Sequence, residues 1–266
     1  MNTQQTTTTR FTPTPGSSRP AARRALPRRL LGVWAHPDDE AYLSAGLMGR
    51  VTDNGGHVTS ATVTLGELGF ADDDSRSWLD RSNHRLRELT EACAVVGVHD
   101  VRNLGFGDGQ LDSTPLGLLV DAIGDLIDDV APDVVVTFGP DGITGHPDHV
   151  VTGLATTIAA AGRPEVELLY AAHSTLFLEE HISLHRELGM YMGQEPAGTE
   201  PCDVTLAVTP VGEELFRKRL ALAAHSSQTT ALACQMGEQR YRKWIAVETF
   251  RHPAGDDFVR RSLAAS

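Results

Sequence analysis

The sequence predicts one α/β domain, a mostly parallel sheet with helices on both faces. Three observations carry that expectation. From Leu30 onward, short β-rich apolar runs alternate with segments of helical periodicity, the pattern of strand–helix–strand units. The strand runs are almost continuously apolar, most clearly Val134-Val135-Val136, as strands covered on both faces are. A chain of 266 residues with no internal repeat suits one large domain of this class.

Each element has a local reason. Residues 30–35 read as the first strand. Residues 40–53 read as a helix stopped by Asn54-Gly55-Gly56, a strong breaker. Residues 57–65 are β-branched and read as a strand. Residues 76–96 carry apolar side chains at helical spacing and close on Gly97. Residues 100–106 read as a strand, 116–130 as a helix, 133–139 as the most buried strand, 148–161 as a helix and 166–172 as a strand. Residues 176–192 read as helical, and 204–209, 213–224 and 245–250 complete the series. The nearest approach to a linker is 189–201, rich in Gly and Pro, with both sides belonging to one domain.

Residues 1–29 read differently. They hold Arg10, Arg19, Arg23, Arg24, Arg28 and Arg29, many Thr, Ser and Pro, and no acid. They lack the apolar run of a secretory signal. A disordered basic tail is expected, with the domain spanning 30–266; an organellar transit peptide or a partner-binding arm is the alternative. Taking those six arginines from 23 basic residues leaves 17 against 35 acidic ones, a net −18 on the domain. So acidic a body repels a phosphate backbone, which argues against nucleic-acid binding. No window approaches the roughly 18 consecutive apolar residues of a membrane span. Cys93, Cys202 and Cys234 are sparse, odd in number and without a CxxC, which fits a reducing, cytoplasmic setting. Cys93 sits in a helical apolar pattern and reads as a small buried hydrophobe.

In such a sheet the functional loops lie beyond the carboxyl ends of the strands. The first strand runs into His36-Pro37-Asp38-Asp39-Glu40, and the Val-rich strand into Gly139 through His146-Pro147-Asp148-His149. Pro and Asp at a helix start are ordinary capping chemistry. The histidines are not, because a charged imidazole is disfavoured at the positive end of a helix, whereas a neutral metal-ligating one is tolerated. His36 and Asp39 are three apart, as are His146 and His149. Catalytic zinc takes three N/O ligands at about 2.0–2.2 Å and keeps one position open. Asp38 and His146 are neighbouring groups beyond what such a set needs, suited to proton transfer and to oxyanion donation.

Together, Ala35-His36-Pro37-Asp38-Asp39-Glu40 and His146-Pro147-Asp148-His149 resemble the LmbE-like de-N-acetylase (PIG-L) superfamily. That superfamily includes N-acetylglucosaminyl-phosphatidylinositol deacetylases and the deacetylases and amidases of mycothiol and bacillithiol metabolism. Weaker echoes, such as Thr64-Leu65-Gly66-Glu67 and Ala224-His225-Ser226-Ser227-Gln228, extend the likeness from about Leu30 to Phe250. The resemblance implies a Rossmann-like fold and a zinc-dependent deacetylase or amidase, with ferrous iron as the other metal. It implies His36, Asp39 and His149 as ligands, Asp38 as general base, and His146 as oxyanion or amine partner. Asp148 would orient His146 and Glu40 would support a ligand or the helix start, while Arg85 and Asp108 would meet sugar hydroxyls. Some family members carry a tyrosine just before the second motif; Thr144 stands there, and Tyr42 and Tyr170 are expected to lie elsewhere.

Other signals are set against plainer readings. His181 and His185 lack the Glu of HExxH and read as an exposed helix face. Gly105-Phe106-Gly107-Asp108-Gly109 is not a dinucleotide fingerprint, though it can carry Asp108 to a pocket rim. Asp72-Asp73-Asp74 reads as a solvated loop. His225 and Gln228 could cap, pack or line the pocket, and His173 is equally open. The expected function is metal-dependent removal of an N-acyl group from an amino-sugar conjugate. The alternatives are an amidase for mycothiol S-conjugates, a tailoring deacetylase, a phosphoesterase, or a non-catalytic metal- and sugar-binding protein. The expected partner is a small-molecule glycoconjugate, and a homo-oligomer is compatible with the sequence.

Overall fold

The computed structural model describes residues 25–71, 73–193, 195–255 and 257–258. Most of the basic tail and Asp72 lie outside the described residues. β1 (Arg29–Trp34) is buried on both faces. Leu30 and Trp34 enter one apolar cluster, and Leu31 and Val33 enter the other, as the two-residue period of a strand dictates. The sheet begins one residue before the expected boundary, where the Arg28 and Arg29 N–H groups both donate to Asp133 Oδ2 at 2.9 Å.

After β1 come α1 (Asp39–Leu43), α2 (Ala45–Asp53), β2 (His57–Thr62), α3 (Trp78–Val95) and β3 (Asp100–Asn103). Next are α4 (Leu116–Val130), β4 (Val134–Phe138), the short α5 (Gly142–Gly145), α6 (Pro147–Ala161) and β5 (Glu167–Ala172). The chain ends with α7 (Thr175–Glu187), β6 (Leu206–Val208), α8 (Glu213–Ala224), α9 (Ser226–Met236), α10 (Glu238–Trp244) and β7 (Glu248–Arg251). The strand order is β3-β2-β1-β4-β5-β7-β6. The first five strands are parallel, and β7 pairs antiparallel with both β5 and β6. This is the expected mostly parallel sheet. α4 and α6 supply Leu119, Ile123, Ile127 and Ala155 to one face. α2, α3 and α8 supply Leu47, Leu89 and Leu222 to the other. The crossovers build outward from β1 toward β3, and the chain then returns to lay β4 on the other side of β1. That reversal opens a crevice at the carboxyl ends of β1 and β4.

The expected helix 40–53 breaks at Ser44, whose φ is −146°. The Ser44 hydroxyl donates to the Glu40 carbonyl at 3.0 Å, the local competition that unsettles helices at serine. The break exposes the amino end of α2, where Gly46 and Leu47 N–H donate to the Glu248 carboxylate at 2.7 and 2.9 Å. Glu248 in turn pairs with fully buried Lys218 at 2.7 Å. The expected helix 176–192 stops at Glu187, before Gly189 at φ +62°. The following segment folds back, and Met192 N–H donates to the Thr144 carbonyl at 2.7 Å.

Candidate metal centre and active site

The crevice holds a cavity of about 490 Å³ lined by residues from both strand-end turns. His36, Asp38, Asp39, Arg85, Asp108, His146 and His149 all reach it. Asp148 and Glu40 are not on its wall. They are buried behind it, at 1% exposure each.

The turn after β1 presents Asp38 in a left-handed conformation, φ 111°, a strained state for a side chain and common at functional sites. Its surroundings hold it there. Asp38 N–H donates to Glu40 Oε2 at 2.9 Å, and the Asp38 carbonyl accepts the N–H groups of Ala41 and Tyr42 at 3.0 Å each. The Arg85 guanidinium donates to the Pro37 carbonyl and lies 3.6 Å from Asp38 Oδ2. Gly66, at φ +62°, gives that guanidinium its room, since a Cβ there would sit 2.9 Å from it.

Donor atoms of three residues converge. His36 Nδ1 lies 3.2 Å from His149 Nε2 and 3.7 Å from Asp39 Oδ2, and His149 Nε2 lies 3.4 Å from Asp39 Oδ1. Ligands about 2.0–2.2 Å from a tetrahedral zinc stand roughly 3.3–3.6 Å apart, so the set fits one ion. The far nitrogens are committed. His36 Nε2 faces Asp108 Oδ1 at 3.0 Å and Asp148 Oδ2 at 3.3 Å. Both are acceptors, so Nε2 carries the proton and Nδ1 is free to ligate. His149 Nδ1 donates to the Gly142 carbonyl at 3.0 Å, which frees Nε2, and its ring stacks on Phe138 with centroids 4.2 Å apart. A second cluster, His36, His146 and Asp148, also lies within ligand distance. Its donors are already engaged: Asp148 accepts from Gly109 N–H at 2.7 Å, and His146 Nδ1 accepts from Asp148 N–H at 3.1 Å.

The electrostatics favour a cation at the first cluster. Burial lowers the His36 pKa, but Asp108, Asp148 and Asp39 outweigh it and raise the pKa to about 10 in the absence of a metal. Burial pushes Asp38 up to about 6 against the pull of Arg85. It pushes Asp39 to about 6 against His36. Burial and the neighbouring His36 hold His146 and His149 below the ordinary imidazole value. Neutral His146 accepts at Nδ1 and therefore carries its proton on Nε2.

Several expected roles change. Asp148 is expected to orient His146, but its carboxylate faces His36 at 3.3 Å; the hydrogen bond between His146 and Asp148 runs from the Asp148 backbone N–H to His146 Nδ1, as the cap of α6. Asp108 is expected to meet a sugar, and it instead braces His36 while accepting Leu68 N–H at 2.8 Å. Arg85 reaches the cavity, but its guanidinium is occupied by Gly66, Pro37 and Asp38. Glu40 touches no donor of the triad; it binds the Asp38 backbone and fully buried His225, at 2.6 Å. Gln228 lines the cavity.

Sequence reasoning leaves His173 open and misses the rest of the opposite wall. His181 and His185, expected on an exposed face, are 7% and 1% exposed. Tyr42, expected elsewhere, lines the cavity, as do Tyr191, His173 and Trp244. Trp244 Nε1–H donates to His185 Nε2 at 2.7 Å. His185 must then carry its proton on Nδ1, 2.5 Å from Tyr191 Oη, which leaves the Tyr191 hydroxyl proton free to donate. The one usable signal was positional: His173, His181, His185 and Tyr191 all follow the carboxyl end of β5.

The profile of the family described as GlcNAc-PI de-N-acetylase (PIG-L) matches residues 31–160. The chain is 32% identical over 239 residues to a Bacillus cereus protein named "Probable N-acetyl-alpha-D-glucosaminyl L-malate deacetylase 2", covering 85% of this chain and 97% of that one. It is 34% identical over 233 residues to the 1D-myo-inositol 2-acetamido-2-deoxy-alpha-D-glucopyranoside deacetylase of Actinosynnema mirum, covering 77% and 82%. The structure of N,N'-diacetylchitobiose deacetylase from Pyrococcus horikoshii superposes with a TM-score of 0.57 at 20% identity, over 85% of this chain and 83% of that one. That likeness speaks for the fold.

Proposed function

The chain belongs to the GlcNAc-PI de-N-acetylase (PIG-L) family, and from that premise we propose that it hydrolyses the N-acyl amide of an amino-sugar conjugate. His36, Asp39 and His149 would hold the metal. The observation that carries this is the converging triad, with edges of 3.2–3.7 Å and both outer imidazole nitrogens engaged by acceptors. Its N/O donors suit zinc, and ferrous iron takes the same set. Bound there, the metal would act as a Lewis acid toward water and the acyl carbonyl.

The remaining steps belong to the chain. Asp38 stands beside the triad with no ligand duty and takes a proton from the attacking water. As the carbonyl oxygen gains charge, His146 donates to it from Nε2–H. The C–N bond then breaks, and the amine leaves with the proton held by Asp38, giving a carboxylate and a free amino sugar. Arg85 holds the backbone that aims Asp38. Among the described residues no helix is long and apolar enough to cross a membrane.

The test is acetate release from N-acetylglucosamine and its inositol conjugate by chelator-stripped protein, with and without zinc. Zinc-restored release supports the assignment. Protein that rebinds no zinc removes the triad and the reading with it.

A further inference from the structure

Beyond the two metal-site turns the cavity lining is mostly apolar, with Tyr42, His173, His185, Tyr191 and Gln228 among its polar members. Its apolar wall is Phe177, Met190, Met192, Leu232, Trp244 and Ile245. Arg85 is the sole Arg or Lys on the described lining, and both its terminal nitrogens are already engaged, by Gly66, Pro37 and Asp38. Glu248 reaches the cavity too, but its carboxylate is consumed by Lys218 and the start of α2. His173 and His185 are uncharged at neutral pH, held down by burial to about 3 and about 4. A malate carboxylate, or a polyol such as inositol, would lose its water against this wall and find few partners, a costly exchange. The Tyr191 hydroxyl accepts from His185 Nδ1, itself fixed by Trp244, which leaves its own proton free to donate. At about 490 Å³, the space has the size of a site for a drug-sized ligand.

We propose that this wall is a subsite for a hydrophobic substituent carried by the amide substrate itself, a chain or ring of roughly six carbons or more, with Tyr191 donating to a polar atom at its base. The inference rests on the amide-hydrolase reading and narrows its substrate class. The apolar group can reach the site from the acyl side or from the aglycone side of the sugar. Methionines at positions 190 and 192 suit a wall that adapts to either shape.

The test runs two substrate series on zinc-loaded full-length protein. One is N-acetyl-, N-hexanoyl- and N-octanoylglucosamine. The other is the methyl, hexyl and octyl glycosides of N-acetylglucosamine. Each buried methylene is worth about fourfold, so kcat/KM should rise at least about tenfold along one series, which identifies the side. Met192→Glu, at a 60% exposed position that tolerates charge, and Leu232→Lys should each collapse that ratio toward unity. In parallel, calorimetry compares hexyl with methyl glucoside binding, and at least tenfold tighter hexyl binding is expected. Flat or falling rates along both series, with equal binding of the two glucosides, overturn the subsite while leaving amide hydrolysis intact. Tighter hexyl binding with no amide cleaved sinks the hydrolase reading and keeps the subsite.

Discussion

The two walls of the cavity are built on different physics. On the sheet-end wall every polar side chain has an assigned partner: His36 has Asp108, His149 has Gly142, and Asp38 has Arg85. These are short-range, directional contacts, and they aim atoms. The α7–α10 wall is held by aromatic packing, methionines and neutral imidazoles, with Trp244, His185 and Tyr191 as an oriented chain and the Glu248–Lys218 pair buried behind it. Such contacts give shape. Substitutions on the first wall should therefore change the rate of chemistry. Those on the second should change which substrate is used, or how stable the fold is.

Asp38→Asn should show the largest effect. Asparagine tolerates the left-handed backbone nearly as well as aspartate, so the substitution isolates proton transfer. A loss of about 10²–10⁴ in kcat is expected, with zinc stoichiometry unchanged. A fall below tenfold would move the base elsewhere and erase the division between the walls. Glu248→Gln is the counterpart on the other side. Its single amide oxygen can serve only one of the Gly46 and Leu47 N–H groups, and the change removes the counter-charge of the fully buried Lys218 ammonium. Removing one partner of such a pair costs about 3–5 kcal/mol, readable as a urea midpoint. Lys218→Met combined with Glu248→Gln should recover part of it.

Asp108→Asn sharpens the boundary. The sequence places Asp108 near the sugar, whereas the structure places it 3.0 Å from His36 Nε2. If it orients a ligand, zinc affinity should weaken by about 10–100-fold with KM little changed. A selective rise in KM would return it to substrate binding.

The same contrast explains what the sequence disclosed. His36 with Asp39 and His146 with His149 each lie within four residues, at strand ends where ligands belong. Local spacing therefore marked both turns, and the family resemblance singled out His36, Asp39 and His149 within them. β1 and β4 were legible because a strand covered on both faces is apolar throughout. The far wall was not legible, because its contacts join residues 59 positions apart, as in Trp244 with His185, and nothing local in either marks the other. The break at Ser44 was hidden for the same reason. Its cause is partly Glu248, some 200 residues away, while the local pattern of 40–53 is helical. α9 and α10 were missed because their apolar periodicity is weak beside what tertiary packing supplies.

The smallest expected effect tests the link between the walls. His225 opens α9, is fully buried, and holds Glu40 Oε1 at 2.6 Å, while Glu40 Oε2 holds Asp38 N–H. The groups facing His225 are Glu40, Asp38 and Arg85. Burial lowers its pKa, and Glu40 and Asp38 outweigh burial and Arg85, so the folded value stands above the ordinary 6.5. Between those two values the native state binds more protons than the unfolded chain, so stability falls as pH rises. The contribution is complete below about 6.5 and is lost as pH climbs through the folded value. His225→Gln keeps a donor toward Glu40 and loses the charge. The wild-type advantage over it, about 1.5–3 kcal/mol for a hydrogen bond to a charged group, should be greatest near pH 5.5–6.5 and shrink toward pH 8.5 in urea titrations of zinc-loaded protein. A difference flat across that range would mean that His225 stays neutral. The bridge from α9 to the Asp38 turn would then be an ordinary hydrogen bond, with no charge joining the two walls.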